Sequence, residues 1–355
     1  MIKRVLLAPL DWGLGHATRC IPIIRLLQNK GCEVMIAGNG DSLVLLRKEF
    51  PEIRYFNISG YDPVYPRAAA MIWKMMTQLP KFYKTIQAEH REIESLIRQH
   101  QIDLVISDNR YGCWSEQVPS VFITHQSNIL MPKRFGWLQR LVRNQNENYM
   151  KRYTACWLPD FPDEHSLAGD LISFGSAREK ISVEYIGALS RFSPSQHTEK
   201  KYDVIAVCSG PEPQRSLLEA IIAPQLQSSG LECFLVGGKP SSEKASSSDR
   251  ADFLATKELQ RVLESSDVVV ARSGYSTIMD MAALHKKVIF IPTPGQTEQE
   301  YLAQRLKDKG IAFYMNQHDF NLAVALRETE CFSGFKNSSG DLTLLELAVD
   351  KALKY

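Results

Sequence analysis

The sequence has no C-x-x-C pair, no long apolar run, no D-x-D triplet and no strong charge of either sign. Its seven cysteines, Cys20, Cys32, Cys113, Cys156, Cys208, Cys233 and Cys331, are odd in number and scattered. That argues against a disulfide framework or a zinc site and for reduced thiols in a cytoplasm. A net charge of +2 over 355 residues leaves no global nucleic-acid footprint. No stretch approaches the ~18 uninterrupted apolar residues of a membrane-spanning helix. The opening MIKRVLLAPLDW mimics a signal peptide, but its apolar run is short and Asp11 ends it, so it reads as a first buried strand.

The length suits two domains of ~150–190 residues. Hydrophobic content of 44% and charged content of 23% are those of an ordinary soluble enzyme. Strand patterns fall at 5–9, 33–37, 54–58, 104–107, 120–124 and 155–158, and again at 204–208, 232–236, 268–271 and 288–291. Helical patterns fall at 18–29, 42–49 and 68–99, the last broken near Pro80, then at 217–227, 277–284, 298–308 and 342–354. Short, continuously apolar strands alternating with helices imply α/β architecture, with two doubly wound, Rossmann-like parallel sheets covered on both faces. Residues 186–201 read as the interdomain linker, and 240–252, rich in serine and charge, as a surface loop.

Between the first strand and its helix lies Gly13-Leu14-Gly15-His16. Thr18 stands where a dinucleotide fingerprint needs a third small residue, and Ala37-Gly38-Asn39-Gly40 ends the second strand without the acidic ribose ligand. An NAD-dependent oxidoreductase is therefore disfavoured. The glycines still let a ligand approach the backbone, and the following helix offers its positive end. That end depresses the pKa of His16 and keeps it neutral, as a general base requires, although the residue also reads as a helix-capping histidine. His125, after the 120–124 strand, is the second candidate base or a core histidine. Asp108 reads as a loop cap or as part of an acceptor wall.

The densest signal is DVVVARSGYSTIMDMAALHKKVIFIPTPGQTEQEYLAQ, residues 267–304. A buried strand ends at Arg272-Ser273-Gly274, and a helix opens near Tyr275-Ser276-Thr277, whose amides and hydroxyls suit a diphosphate. Asp280, one turn beyond Thr277, is placed to accept both hydroxyls of a ribose. The loop 293–297 leads to Glu298-Gln299-Glu300, where side chains can hold a sugar. Arg272 reads as a phosphate contact or as an ion pair at a strand end.

This block resembles the C-terminal domain of glycosyltransferase family 28, which includes the peptidoglycan N-acetylglucosaminyltransferases and carries R-[SA]-G-x-x-T-x-x-E, an apolar strand, a proline-containing loop and a Q-Q pair. Residues 13–16 look like the family's first glycine loop, 118–128 like the motif after its fifth strand, 186–191 like its entry to the linker, and 209–215 like its second-domain loop. Asp280 replaces the family's glutamate, Glu300 its second glutamine, and Asp11 and Trp12 part of its first glycine run.

The resemblance implies a GT-B fold, two domains facing across a cleft. Residues 1–188 would bind the acceptor and 189–340 the nucleotide-sugar, with 341–355 packing back on the first domain. It implies donor contacts at Gly15, Arg191, Ser209, Gly210, Ser273, Gly274, Tyr275, Ser276, Thr277, Asp280, Gln299 and Glu300, with His16 or His125 as base. Arg191 also reads as a linker arginine in water. No metal ion and no cofactor is called for.

The expected activity is an inverting, metal-independent transfer from a UDP-sugar to a hydroxyl acceptor, with lipid-linked and cell-envelope glycans among the candidates. Residues 131–146 carry Lys133, Arg134, Arg140 and Arg143 beside Phe135, Trp137, Leu138 and Leu141. They read as a peripheral contact with the inner face of a membrane or as a helix with a core face. The methionines of 71–76 read as core or acceptor-groove packing. A UDP-sugar 2-epimerase and a non-catalytic nucleotide-sugar-binding protein are the alternatives, although no converging carboxylate set marks the former.

Overall fold

The computed structural model describes the chain except residues 1, 62–70, 132, 176–177, 196–197, 239–246 and 336–341, and except the side chains of 71–76, 133–134 and 178. It divides into two compact units, Met1–Leu189 with Asp341–Tyr355, and Ser190–Gly340.

In the first unit the strands are β1 (Arg4–Pro9), β2 (Glu33–Gly38), β3 (Arg54–Asn57), β4 (Leu104–Asp108), β5 (Ser120–Ile123), β6 (Ala155–Leu158) and β7 (Val183–Tyr185). They form one parallel sheet in the order β3-β2-β1-β4-β5-β6-β7. In the second, β8 (Tyr202–Val207), β9 (Cys233–Val236), β10 (Arg250–Ala251), β11 (Ser266–Ala271), β12 (Lys287–Phe290) and β13 (Phe313–Tyr314) form a parallel sheet in the order β10-β9-β8-β11-β12-β13. The central strands are buried along almost their whole length because helices cover both faces, which is why they read as unbroken apolar runs. In each sheet the strand order reverses beside the first strand, between β1 and β4 and between β8 and β11. Ligands of doubly wound sheets bind at the carboxyl ends of the strands at such a reversal.

The helices are α1 (Leu14–Asn29), α2 (Gly40–Glu49), α3 (Met71–His100), α4 (Gln139–Met150), α5 (Gln214–Ser228), α6 (Thr256–Glu264), α7 (Tyr275–Ala283), α8 (Thr297–Asp308), α9 (Leu322–Thr329) and α10 (Thr343–Ala352). The break expected near Pro80 does not occur: α3 runs through it. A proline removes one helical hydrogen bond, and the buried Ile86, Ile93 and Ile97 anchor the helix beyond it. The strands β7, β10 and β13 are two or three residues long, too short to carry a pattern. The helix α10 packs on α1 and β7, with Lys351 Nζ 2.5 Å from Glu184 Oε1 and Lys30 Nζ 2.5 Å from Asp350 Oδ1.

Asp11, which stands in place of a glycine of the first loop, has a structural task. Its Oδ1 accepts the Ser42 N–H at 3.1 Å in the first turn of α2. Gly40 opens that helix at φ +59°, and a Cβ there would lie 1.7 Å from Asp11 Oδ2, so only glycine fits beneath the carboxylate.

Candidate functional site

At the reversal of the first sheet, α1, the end of β4 and the segment after β5 bring four polar side chains together. Asp108 closes β4 and is fully buried. Arg19, three residues after His16 and on the same face of α1, is 1% exposed. Its Nε donates to both Asp108 oxygens at 3.0 Å, and its Nη2 also reaches Oδ1. Nη1 donates to His125 Nδ1 at 2.8 Å. An arginine can only donate, so His125 Nδ1 holds a lone pair and the neutral ring carries its proton on Nε2. In that tautomer Nε2 offers no lone pair, which favours His16 over His125 as the candidate base.

His16 is placed differently. Its Nδ1 lies 3.0 Å from Asp108 Oδ2, an acceptor, and 2.8 Å from Arg19 Nη2, a donor. A neutral ring satisfies one of these at a time. With the proton on Nδ1 it pairs with Asp108 and leaves a lone pair on Nε2, the form a base needs. Burial, reinforced by Arg19, pushes the His16 pKa below its ordinary value against the pull of Asp108. The helix end anticipated as the cause is accompanied by this nearer guanidinium. Gly13, at φ +97°, turns the chain into α1, and Gly15 lies in its first turn.

Asp108 is therefore neither a loop cap nor an open wall. Burial alone would raise its pKa, but Arg19 and His16 bring it down to about 2 from 3.8. A carboxyl shifted in this direction contributes stability that is complete above its unfolded pKa and is lost as pH falls through the folded one. The shift corresponds to about 2 kcal/mol. Urea titrations should show that much lost between pH ~4 and ~2, and the same interval should be flatter in Asp108→Asn.

Beside this centre the loops after β1 to β4 are tied by a second buried group. Arg110 donates to Glu89 Oε1 at 2.8 Å, Pro9 O at 3.1 Å and Asn39 Oδ1 at 3.1 Å, and also to Ser59 O. Tyr61 donates to Glu89 Oε2 at 2.7 Å. Gly112 passes so close to α3 that a Cβ would meet Ile86 O at 2.3 Å. Trp12, Tyr61 and Phe82 pack edge and face with ring centres 5.8–6.1 Å apart, an aromatic wall at the same end of the sheet.

At the reversal of the second sheet, Arg272 follows β11 and is 1% exposed. Among the described residues it forms no ion pair and donates instead to carbonyl and amide oxygens. Nη1 donates to Ile291 O and Pro292 O at 3.1 and 3.2 Å, and Nη2 to Gln214 O at 2.9 Å and Gln317 Oε1 at 2.6 Å. Burial lowers its pKa to about 10, so it stays charged. It clamps three loops around the start of α7.

Gly274 is the N-cap of α7, without a side-chain cap, and Ser276 and Thr277 are half-buried. Gly210, at φ +103° with open space where a Cβ would stand, and the half-buried Ser209 follow β8.

The side chains of the other expected donor contacts are placed as follows. Ser273 is buried and its hydroxyl donates to Gln299 O at 2.8 Å. Tyr275 is in the core. Glu300 is exposed and its Oε1 accepts the Gly295 N–H at 2.9 Å, bracing the loop. Gln299 Oε1 accepts the Thr293 N–H at 2.8 Å, which leaves its Nε2 beside Gly274. Asp280 is buried rather than open: Ser190 Oγ donates to its Oδ1 at 2.7 Å, and Arg191 Nε lies 3.6 Å from its Oδ2. Burial, only partly offset by Arg191 and Ser190, raises its pKa. Arg191, stacked 4.9 Å over Phe192, is not a linker arginine in water.

Within 131–146, Lys133–Leu138 form a 3-10 turn that leads into α4. Trp137 and Leu141 are exposed, while Asn146, Glu147 and Met150 are buried. The side chains of Lys133 and Arg134, and of the methionines of 71–76, lie outside the described residues. Among the described residues no helix is long and apolar enough to cross a membrane.

The chain is similar in sequence and in fold to known glycosyltransferases. Residues 205–332 match the glycosyltransferase family 28 C-terminal domain. An uncharacterized glycosyltransferase of Methanosarcina acetivorans is 24% identical over 322 residues, 84% of this chain and 82% of that one. The UDP-N-acetylglucosamine--N-acetylmuramyl-(pentapeptide) pyrophosphoryl-undecaprenol N-acetylglucosamine transferase of Actinobacillus pleuropneumoniae is 23% identical, covering 90% of this chain and 87% of that one. The crystal structure of the kitacinnamycin glycosyltransferase superposes with a TM-score of 0.65 at 14% identity, over 99% of this chain and 100% of that one.

Proposed function

We propose that this glycosyltransferase, GT-B in fold and family 28-like in its C-terminal domain, moves a sugar from a UDP-sugar to a hydroxyl acceptor by a single inverting displacement. The observation that carries the reading is the His16–Asp108 pair at the carboxyl end of β1 and β4. Asp108 fixes the Nδ1–H tautomer. His16 Nε2 takes the proton of the acceptor hydroxyl as its oxygen bonds to the anomeric carbon. The bond from that carbon to the diphosphate breaks on the opposite face, and the nucleoside diphosphate leaves with the electron pair.

The amide-rich start of α7 and the turn at Ser209-Gly210 are assigned to the leaving diphosphate, since a helix N-terminus favours anions and costs no reorganisation. The absence of a D-x-D triplet supports a transfer that takes this stabilisation from the backbone rather than from a metal ion. UDP, and an acceptor that includes lipid-linked glycans, are supported by the relative named for both. The ribose is assigned to Asp280, with Arg191 yielding the Oδ2 side of the carboxylate.

A thermal-shift screen against UDP, GDP and dTDP tests the donor half. UDP at ~100 times its Kd should stabilise the protein by roughly 2.7 kcal/mol. Asp280→Ala should lose most of that shift. Stabilisation by another nucleotide alone, or a full UDP shift in Asp280→Ala, would remove UDP or the ribose assignment respectively.

A further inference from the structure

The Arg19 guanidinium is bound into one cluster: Nε and Nη2 donate to Asp108 and Nη1 to His125, while Nη2 also lies 2.8 Å from His16 Nδ1, whose proton is directed at Asp108. The charged and titratable groups facing His16 are Arg19 from its own helix, Asp108 from the end of β4 and His125 from beyond β5. Cys20 reaches Asp108 Oδ2 at 3.8 Å, and burial keeps its thiol protonated.

With Arg19 and Asp108 both ionised, the cluster is neutral when His16 is neutral. A proton added to His16 would place a third charge, and a net positive one, in a site that water barely reaches, beside a guanidinium 2.8 Å away. Without Arg19 the sign reverses. Asp108 would be a lone buried anion, and protonating His16 would neutralise it. An Asp–His pair alone raises the histidine pKa, because the opposite charge favours the imidazolium.

We propose that Arg19 is the positioning residue of this centre: it neutralises the carboxylate that would otherwise stabilise a protonated His16, and so keeps the imidazole neutral with a lone pair available for the acceptor proton. In the same contact it fixes the His125 proton on Nε2, leaving one base where two histidines stand. The inference rests on His16 as base for its purpose, but its physical content is a protonation state, measurable without any substrate. The downward direction of the His16 pKa, set by burial and then by Arg19, agrees with it.

The test is an NMR titration of the full chain with labelled histidine rings, His16 being assigned by the signal lost in His16→Gln. In the wild type the His16 midpoint should lie below ~6.5. In Arg19→Met it should rise by at least about one unit, a tenfold change in proton affinity. In Arg19→Lys, which keeps the charge, it should stay near the wild-type value. A midpoint in Arg19→Met no higher than in the wild type overturns the proposal, as does an equal rise in Arg19→Lys.

If Arg19→Met does not fold, the ring nitrogens of His125 decide in Arg19→Lys. They should report a single Nε2–H tautomer in the wild type and a mixture in the variant, and an unchanged single tautomer overturns the assignment. A failure of transfer activity in the wild type would strike the proposed function and leave this titration untouched.

Discussion

Replacing His16 by alanine should lower turnover by ~10²–10⁴-fold, the usual contribution of a positioned base, while UDP binding stays unchanged. The residues proposed to hold the diphosphate and the ribose belong to the other compact unit. The fold should survive as well. The ring is partly exposed and its described hydrogen bonds are made through Nδ1 alone, so truncation opens no sealed cavity.

His125→Ala should behave differently. Its ring is buried against Arg19 and offers no Nε2 lone pair, so its loss disturbs the cluster without removing the base. Turnover with the UDP-sugar identified by the thermal screen, measured for both variants, decides between them. Near-normal turnover in His16→Ala, or an equal loss in His125→Ala, would refute the assignment. Incubation with UDP-N-acetylglucosamine and no acceptor should leave the sugar unchanged, whereas an epimerase would produce the manno-isomer.

Arg110→Met should cost about 3–5 kcal/mol, because it strands the buried Glu89 carboxylate without its cation. Both side chains are fully buried, and Arg110 also holds the carbonyls of Pro9 and Ser59. For a unit of this size the loss corresponds to a fall in Tm of roughly 10 °C. Burial already raises the Glu89 pKa against the pull of Arg110.

Removing Arg110 raises the Glu89 pKa further, so the sign of the pH effect is fixed. An acid with a raised folded pKa loses stability as pH climbs from its unfolded value, ~4.5, through the folded one. The penalty of Arg110→Met should therefore be smaller near pH 5 than at pH 8. The double variant Glu89→Leu/Arg110→Met should regain part of the loss, since apolar groups of similar volume replace a buried pair well. A single-variant cost under ~1 kcal/mol would show that the pair does not hold the loops.

Much of this was legible from residue order. Apolar runs such as 204–207 and 268–271 could only be strands buried on both faces, and their alternation with helices fixed the parallel, doubly wound class. Gly13, His16, Gly210 and Gly274 stood out because glycine and polar residues at a strand-to-helix junction have few other uses. Arg19 was missed, although a charged residue three positions after His16, in the apolar helix ATRCIPIIRLL, was a signal that α1 buries something ionic. Asp108 was read only as a cap or an acceptor wall, and Glu89 and Arg110 were not singled out, because the partners of Asp108 lie 89 and 92 positions away and Glu89 lies 21 positions from Arg110.

Sequence alone thus determined the period, the chain order of strands and helices, and which glycine turns stand at strand-to-helix junctions, because these depend on neighbours within a few residues. Tertiary structure alone decided which charges meet. It turned Ser273 and Tyr275 inward, made Arg272 a clamp, enclosed Asp280 with Ser190 and Arg191, and gave His16 a carboxylate and a guanidinium to choose between. The reason is physical: a buried charge is defined by what faces it, and what faces it comes from a strand or helix that the chain reaches only after folding back on itself.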